Sequence, residues 1–417
     1  MQADVCSRTI LHSDLDAYYA SVEAMLNPRL RGTAYAVCGK TEDRHGIVLA
    51  KSPLAKKAGI KTGMVNWEAE RLCPGLKIVH PHYEEYVEYS EKTRSIYERY
   101  TDLVLQYGID ECYLDVTDSR LLFGSGRKIA ERISRTVWEE LGLTVSVGVS
   151  FCMASAKLAS DMNKPQGITV IEKPDFEKMV WPLPVPDLFF VGRASTRDLL
   201  NVGIYTIGDL AKAQPEYLYR LFGKNGLMLW RFANGEDESK VTHKDFSPPI
   251  KTLGHGITCT SDLQNNEEVW RVVYSLAQDL GERLRVYRLM ARGVQVSYRD
   301  KELAYKQFQT QLAAPSQSPY ELALKGMELF ERNYKWEKEV RSLCIRGINL
   351  IPKGTPVQLD LFQSAERRLA REKVEDAVYD IRRRYGKDAV YAASLMGDLK
   401  MSDERNREIT MPGSMKA

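Results

Sequence analysis

Apolar residues dominate Thr9–Ser13, break at Asp14-Leu15-Asp16, and return with helical spacing over Ala17–Met25; this predicts a strand, then a helix with Asp16 as its N-cap. Tyr83, Tyr86, Ser90, Thr93, Tyr97 and Tyr100 recur every three or four residues and predict one core-facing side of a second helix. Leu103–Gln106 and Cys112–Val116 flank Gly108-Ile109-Asp110-Glu111 and predict two paired strands. Arg127–Leu141 then has the spacing of a helix and Thr144–Ser150 that of a strand. Strand, helix, strand, strand, helix, strand is the split βαβ order of a ferredoxin-like sheet.

The stretch 27–81 is punctuated by Pro28, Gly32, Gly39, Gly46, Pro53, Gly59, Gly63 and Pro74, as expected of a small inserted subdomain. Prolines 174, 182, 184 and 186 mark the exit from the sheet domain (1–26 and 82–173) into short helices over 174–241, and a polar linker follows over 242–251. Strands near 253–260, 293–298, 304–310 and 340–348, with helices near 269–289 and 320–334, predict a second α+β domain over 252–351. The tail 352–417 carries one predicted helix, 365–385.

A length of 417 residues, at roughly 150 per domain, agrees with this multidomain plan. Hydrophobic residues at 44% supply a core, so the chain is expected to fold. Fifty-nine Lys and Arg against 56 Asp and Glu leave +3, which neither demands nor excludes a nucleic-acid partner. The seven cysteines are scattered with no C-x-x-C pair, against a disulfide scaffold or a zinc site. No signal peptide or membrane span is evident, and a reduced, cytoplasmic protein is expected.

The chemistry gathers around three acids. Asp14 ends the first strand, and Asp110 and Glu111 sit on the connection beside the neighbouring strand; the split βαβ plan pairs the first strand with this hairpin. Three carboxylates converging beside open coordination positions suit Mg²⁺, and two such ions serve phosphoryl transfer.

The run Asp14-Leu15-Asp16-Ala17-Tyr18-Tyr19-Ala20-Ser21-Val22-Glu23 with Asn27-Pro28, then Gly108–Val116, then Lys157–Gly167, resembles in order the three motifs of the Y-family, DinB/UmuC-type translesion DNA polymerases. The resemblance implies an α+β right-hand polymerase with a ferredoxin-like palm, small fingers (27–81), a helix-hairpin-helix thumb (174–241) and an α+β little finger (252–351). It implies that Asp14, Asp110, Glu111 and the Leu15 carbonyl hold two Mg²⁺, with Mn²⁺ as a substitute. Tyr19 would be the steric gate against the ribose 2′-hydroxyl, and Tyr18, Tyr19, Lys56 and Lys164 would contact the incoming dNTP. Ile47 and Leu49 would roof the templating base. Pro53 and Lys56 stand where many members carry a triphosphate-binding tyrosine and arginine, so a weaker nucleotide grip is expected.

Gly192 and Arg193, opening the predicted hairpin, are expected to meet a DNA phosphate through helix N-terminal amides. Arg283, Arg285, Arg288 and Arg292 fall within ten residues and form a candidate phosphate strip in the little finger. Gln358-Leu359-Asp360-Leu361-Phe362 resembles the peptide by which bacterial polymerases dock on the sliding clamp, Leu361 and Phe362 filling a pocket that Gln358 rims. The expectation is a monomeric, low-fidelity, clamp-recruited polymerase acting on primer-template DNA, with no membrane partner. A nucleotidyl cyclase shares the palm and metals but needs no thumb or clamp peptide; a DNA- and clamp-binding scaffold would not need all three acids.

Overall fold

The computed structural model describes residues 8–356 and 365–402. Two compact units account for them: residues up to Cys38 with Val48–Ser247, and Gly39–Ile47 with the residues from Pro248 onward.

The first unit is organised by a sheet of β1 (Ile10–Leu15), β5 (Val104–Gln106), β6 (Glu111–Asp115), β7 (Val145–Ser150) and β8 (Ile168–Ile171), in the order β5-β6-β1-β7-β8. Strands β5, β6, β1 and β7 have the split βαβ arrangement expected from the hydrophobic pattern, and β8 adds an edge parallel to β7. Helices α1 (Tyr18–Leu26), α2 (Tyr83–Tyr97), α3 (Gly126–Leu141) and α4 (Met153–Met162) cover it. Tyr86, Ser90, Thr93 and Tyr97 of α2 are buried, as their spacing predicts. On the other face α4 lies very close to the sheet because Gly148 has no side chain; a Cβ there would stand 1.9 Å from the Ala156 carbonyl oxygen.

Between α1 and α2 a small sheet, β2 (Tyr35–Cys38), β3 (Val48–Lys51) and β4 (Lys77–Val79), forms the inserted region in the order β3-β2-β4. After β8, a helix over Arg193–Asn201, a turn with Gly203 at φ +81, and a helix over Ile207–Lys212 make the expected hairpin. Thr206 and Asp209 close the second helix with a capping box.

The second unit carries β9 (Thr252–Leu263), β10 (Leu289–Asp300), β11 (Tyr305–Ser316) and β12 (Val340–Pro352) in the order β11-β10-β12-β9, with α5 (Asn266–Val286) and α6 (Pro319–Asn333) packed on it. The hydrophobic pattern extends α5 to Leu289, but the helix stops at Val286, and Leu289 already belongs to β10. Helix α7 (Ala365–Tyr385) follows the predicted bounds. The clamp-like peptide 358–362 lies outside the described residues.

Candidate active site

Antiparallel register assembles the site. Asp14 of β1 faces Glu111 of β6, and His12 faces Tyr113, so the period-two pleat puts all four side chains on one face, beneath α4. The Leu15 amide donates to the Asp110 carbonyl at 2.9 Å, which fixes Asp110 beside the same strand end. His12, Asp14 and Glu111 offer ligand atoms within 4.8 Å of one another.

Two ammonium groups reach these acids. Lys157 of α4 lies 3.1 Å from Asp14 and 2.7 Å from Glu111, and Lys164, just past α4, lies 2.8 Å from Asp14 and 2.7 Å from Asp161. Burial tends to raise the Glu111 pKa, but the His12 hydrogen bond and the Lys157 ammonium outweigh it and hold the carboxyl at about 2. Asp110 goes the other way: burial first, then the Asp14 and Glu111 charges, push it up to about 6. This excess negative charge, carried by hard oxygen donors, fits a divalent cation such as Mg²⁺.

Asp16, expected as an N-cap, does not cap α1. Ala17, at φ +46, occupies that position, and the Asp16 carboxylate accepts from the Ser146 hydroxyl (2.7 Å) and the Gln166 amide (2.9 Å). It ties β7 and the residues after α4 to the start of α1. Its place just before an apolar helical run is the misleading signal.

Tyr19, half-buried, stacks on Tyr86 with centroids 4.1 Å apart and planes 11° from parallel, and meets Tyr83 edge-on at 6.0 Å. Tyr86 in turn donates to buried Glu23. The neighbouring Tyr18 is buried, its hydroxyl donating to the Tyr86 carbonyl, so its ring belongs to the core rather than to an open pocket. Pro53 starts the helix Pro53–Lys57, where Ser52 caps the Ala55 amide and a missing N–H costs nothing. Lys56 on that helix is exposed, Leu49 on β3 is half-buried and Ile47 is exposed.

Gly192 and Arg193 are exposed at the start of the first hairpin helix. The arginine strip divides. Arg288 and Arg292 are exposed, but Arg283 donates to the Gly254 carbonyl at 3.0 Å. Arg285 is buried at its guanidinium, paired with Glu375 (3.2 Å) and Asp376 (3.0 Å) of α7 and donating to the Gln317 carbonyl (3.1 Å). Its expected phosphate contact is replaced by an internal tie, because a helix turns successive arginines to different faces.

His12, Lys157 and Ser160 belong to the site, and sequence reasoning misses all three. His12 carries a usable signal: it lies two residues before Asp14, hence on the same face of a strand. Lys157 and Ser160 lie within the third motif, Lys157–Gly167, but their reach to the acids depends on the approach of α4 at Gly148, which that motif does not show.

Residues 13–161 match the impB/mucB/samB family, and residues 250–361 match that family's C-terminal domain. DNA polymerase IV of Acetivibrio thermocellus is 45% identical over 391 residues, 94% of this chain and 98% of that protein. DNA polymerase IV of Moorella thermoacetica is 35% identical over 399 residues, 95% of this chain and 98% of its own. A solved Y-family DNA polymerase chimera (Dbh–Dpo4–Dbh) has the same fold at a TM-score of 0.73 and 22% identity, over 83% of this chain and all of that one.

Proposed function

The chain belongs to the impB/mucB/samB family, and from that premise we propose that it is a DNA-directed DNA polymerase of the translesion type, adding dNTPs to a primer by two-metal nucleotidyl transfer. The observation that carries this reading is the convergence of Asp14 and Glu111 across one antiparallel register, with Asp110 at the same strand end. Asp14, Asp110, Glu111 and the Leu15 carbonyl are the oxygen donors for Mg²⁺. Divalent metal, when bound, supplies charge neutralisation at the transferring phosphoryl group.

The side chains do the rest. Lys164 offers its ammonium to the triphosphate, with Lys56 as a second cation on the inserted region. Tyr19, its ring stacked on Tyr86, is the steric gate against a 2′-hydroxyl. Leu49 and Ile47 supply apolar contact for the templating base. Gly192 and Arg193 meet backbone phosphate without reading sequence, as do Arg288 and Arg292. Arg285 is withdrawn from that set by α7.

Gln358, Leu359, Leu361 and Phe362 dock the polymerase on a sliding clamp, compensating by effective concentration for the small net charge of +3. A monomer acting in the cytoplasm is part of the proposal. No helix among the described residues is long and apolar enough to cross a membrane.

Extension of a primed, lesion-bearing template by the full chain with Mg²⁺ tests the activity. Product formed by wild type and lost with Asp110→Ala supports the reading; cyclic product from nucleotide alone, or no synthesis at all, overturns it. Clamp-dependent processivity lost with Phe362→Ala tests recruitment separately.

A further inference from the structure

We propose that His12 is a positioning residue of the nucleotidyl-transfer centre: its Nε2–H holds Oε2 of Glu111, leaving Oε1 as the atom turned to the metal. The inference rests on the polymerase reading above and deepens it. His12 is fully buried in β1 between Gly148 of β7 and Tyr113 of β6, and the Tyr113 ring meets it edge-on at 4.6 Å. An imidazole in such a place must have its polar atoms satisfied, and both are. Nε2 stands 3.2 Å from Glu111 Oε2, and Nδ1 stands 2.8 Å from the hydroxyl of Ser160, itself buried.

The direction of the Glu111 bond follows from chemistry. An ionised carboxylate only accepts, so Nε2 carries the proton. The Ser160 oxygen also lies 2.7 Å from the Lys157 carbonyl, and its single proton serves one partner at a time. A neutral buried ring with Nε2–H has Nδ1 as its acceptor, so the Ser160 hydroxyl gives its proton to Nδ1 rather than to the Lys157 carbonyl, and Nε2–H is the group facing Glu111. His12 and Lys157 both meet the Glu111 carboxylate at Oε2. Gly148 makes the arrangement possible, since a Cβ there would come within 2.5 Å of the Ser160 amide nitrogen and hold α4 away.

His12 is therefore not assigned as a ligand. Its nitrogen is engaged by a carboxylate oxygen, and Mg²⁺ prefers oxygen donors. Groups that orient a ligating side chain typically change metal affinity by about 10- to 100-fold when removed.

Two substitutions separate the ring's nitrogens. His12→Gln places an amide N–H near the position of Nε2, and His12→Asn places one near Nδ1; His12→Phe keeps the ring's bulk and loses both. The measurement is Mn²⁺ binding by electron paramagnetic resonance to full-length protein with a dideoxy-terminated primer-template and dNTP, where no turnover occurs. Melting temperatures and single-nucleotide insertion kinetics accompany it. H12Q is expected to bind Mn²⁺ within about threefold of wild type, while H12N and H12F weaken it by about 10- to 100-fold. In H12N and H12F, kcat should fall while KM for dNTP moves less than about threefold.

Equal losses in H12Q and H12N, or wild-type Mn²⁺ binding in H12F, overturn the proposal while leaving the polymerase reading intact. Wild-type protein that binds no Mn²⁺ in this complex overturns both. Should H12F fail to fold, the contrast between H12Q and H12N at matched melting temperature decides the question.

Discussion

The acids of the first unit and the arginines of the second are both charge clusters visible in the sequence, yet they end in opposite circumstances. Asp14 and Glu111 stand far apart in sequence and meet because β1 and β6 pair in one register. Arg283, Arg285, Arg288 and Arg292 lie within ten residues and separate, because α5, a turn and β10 send them to different sides. Sequence proximity on a helix is a poor guide to a shared surface; register between strands is a good one.

The largest expected effect falls on the acids. Glu111→Ala should reduce primer extension by at least about a thousandfold, the scale of several kcal/mol of transition-state stabilisation. Synthesis within about tenfold of wild type in a gel-based assay would break the metal-site side of the comparison.

Asp110→Asn sharpens it. The Asp110 carboxyl is raised to about 6, so between about pH 4 and 6 the folded protein holds a proton the unfolded chain has released, and ionisation lowers stability as pH rises. EDTA-treated Asp110→Asn protein should therefore match wild type near pH 4 and exceed it by about 2–3 kcal/mol above pH 7. Urea unfolding at several pH values measures the gap; a difference independent of pH contradicts the account.

The arginines give the converse test. Arg285→Ala breaks a partly buried pair with α7 and should cost about 2 kcal/mol of stability, with little change in DNA affinity after correction for folded fraction. Arg292→Ala should leave melting unchanged and reduce the salt slope of DNA binding by about one. If Arg285→Ala instead weakens DNA binding at unchanged melting temperature, the internal tie is not its role.

Smaller effects concern sugar selection. Tyr19→Ala should raise ribonucleotide insertion about tenfold, and Tyr86→Leu, which removes a stack worth about 1 kcal/mol, about fivefold. Competition between dNTP and rNTP at one template position reads both; unchanged discrimination in Tyr19→Ala removes the gate.

Much of this architecture is legible in the amino-acid sequence. Period-two and helical spacing locate β1, β5, β6, β7 and the helices between them, and the acids stand out because they interrupt apolar strands. The second unit's strands and α7 emerge the same way. What stays hidden depends on the approach between elements. Lys157 and Ser160 reach the acids only because α4 crosses close above Gly148. The spacing of Tyr86 marks it as core, but its stack on Tyr19 requires α1 and α2 to be neighbours. Asp16 shows the reverse error, a polar residue before a helix that looks like a cap and instead joins β7 to the residues beyond α4.

Carboxylates brought together by strand register are proposed to hold two divalent ions. Counting Mn²⁺ bound to the full chain with a dideoxy-terminated primer-template and dNTP tests this most directly, using Ca²⁺ competition to separate specific sites. Two ions per complex in wild type, and fewer than one in Asp14→Ala, is the predicted result; the same count in both proteins would contradict the account.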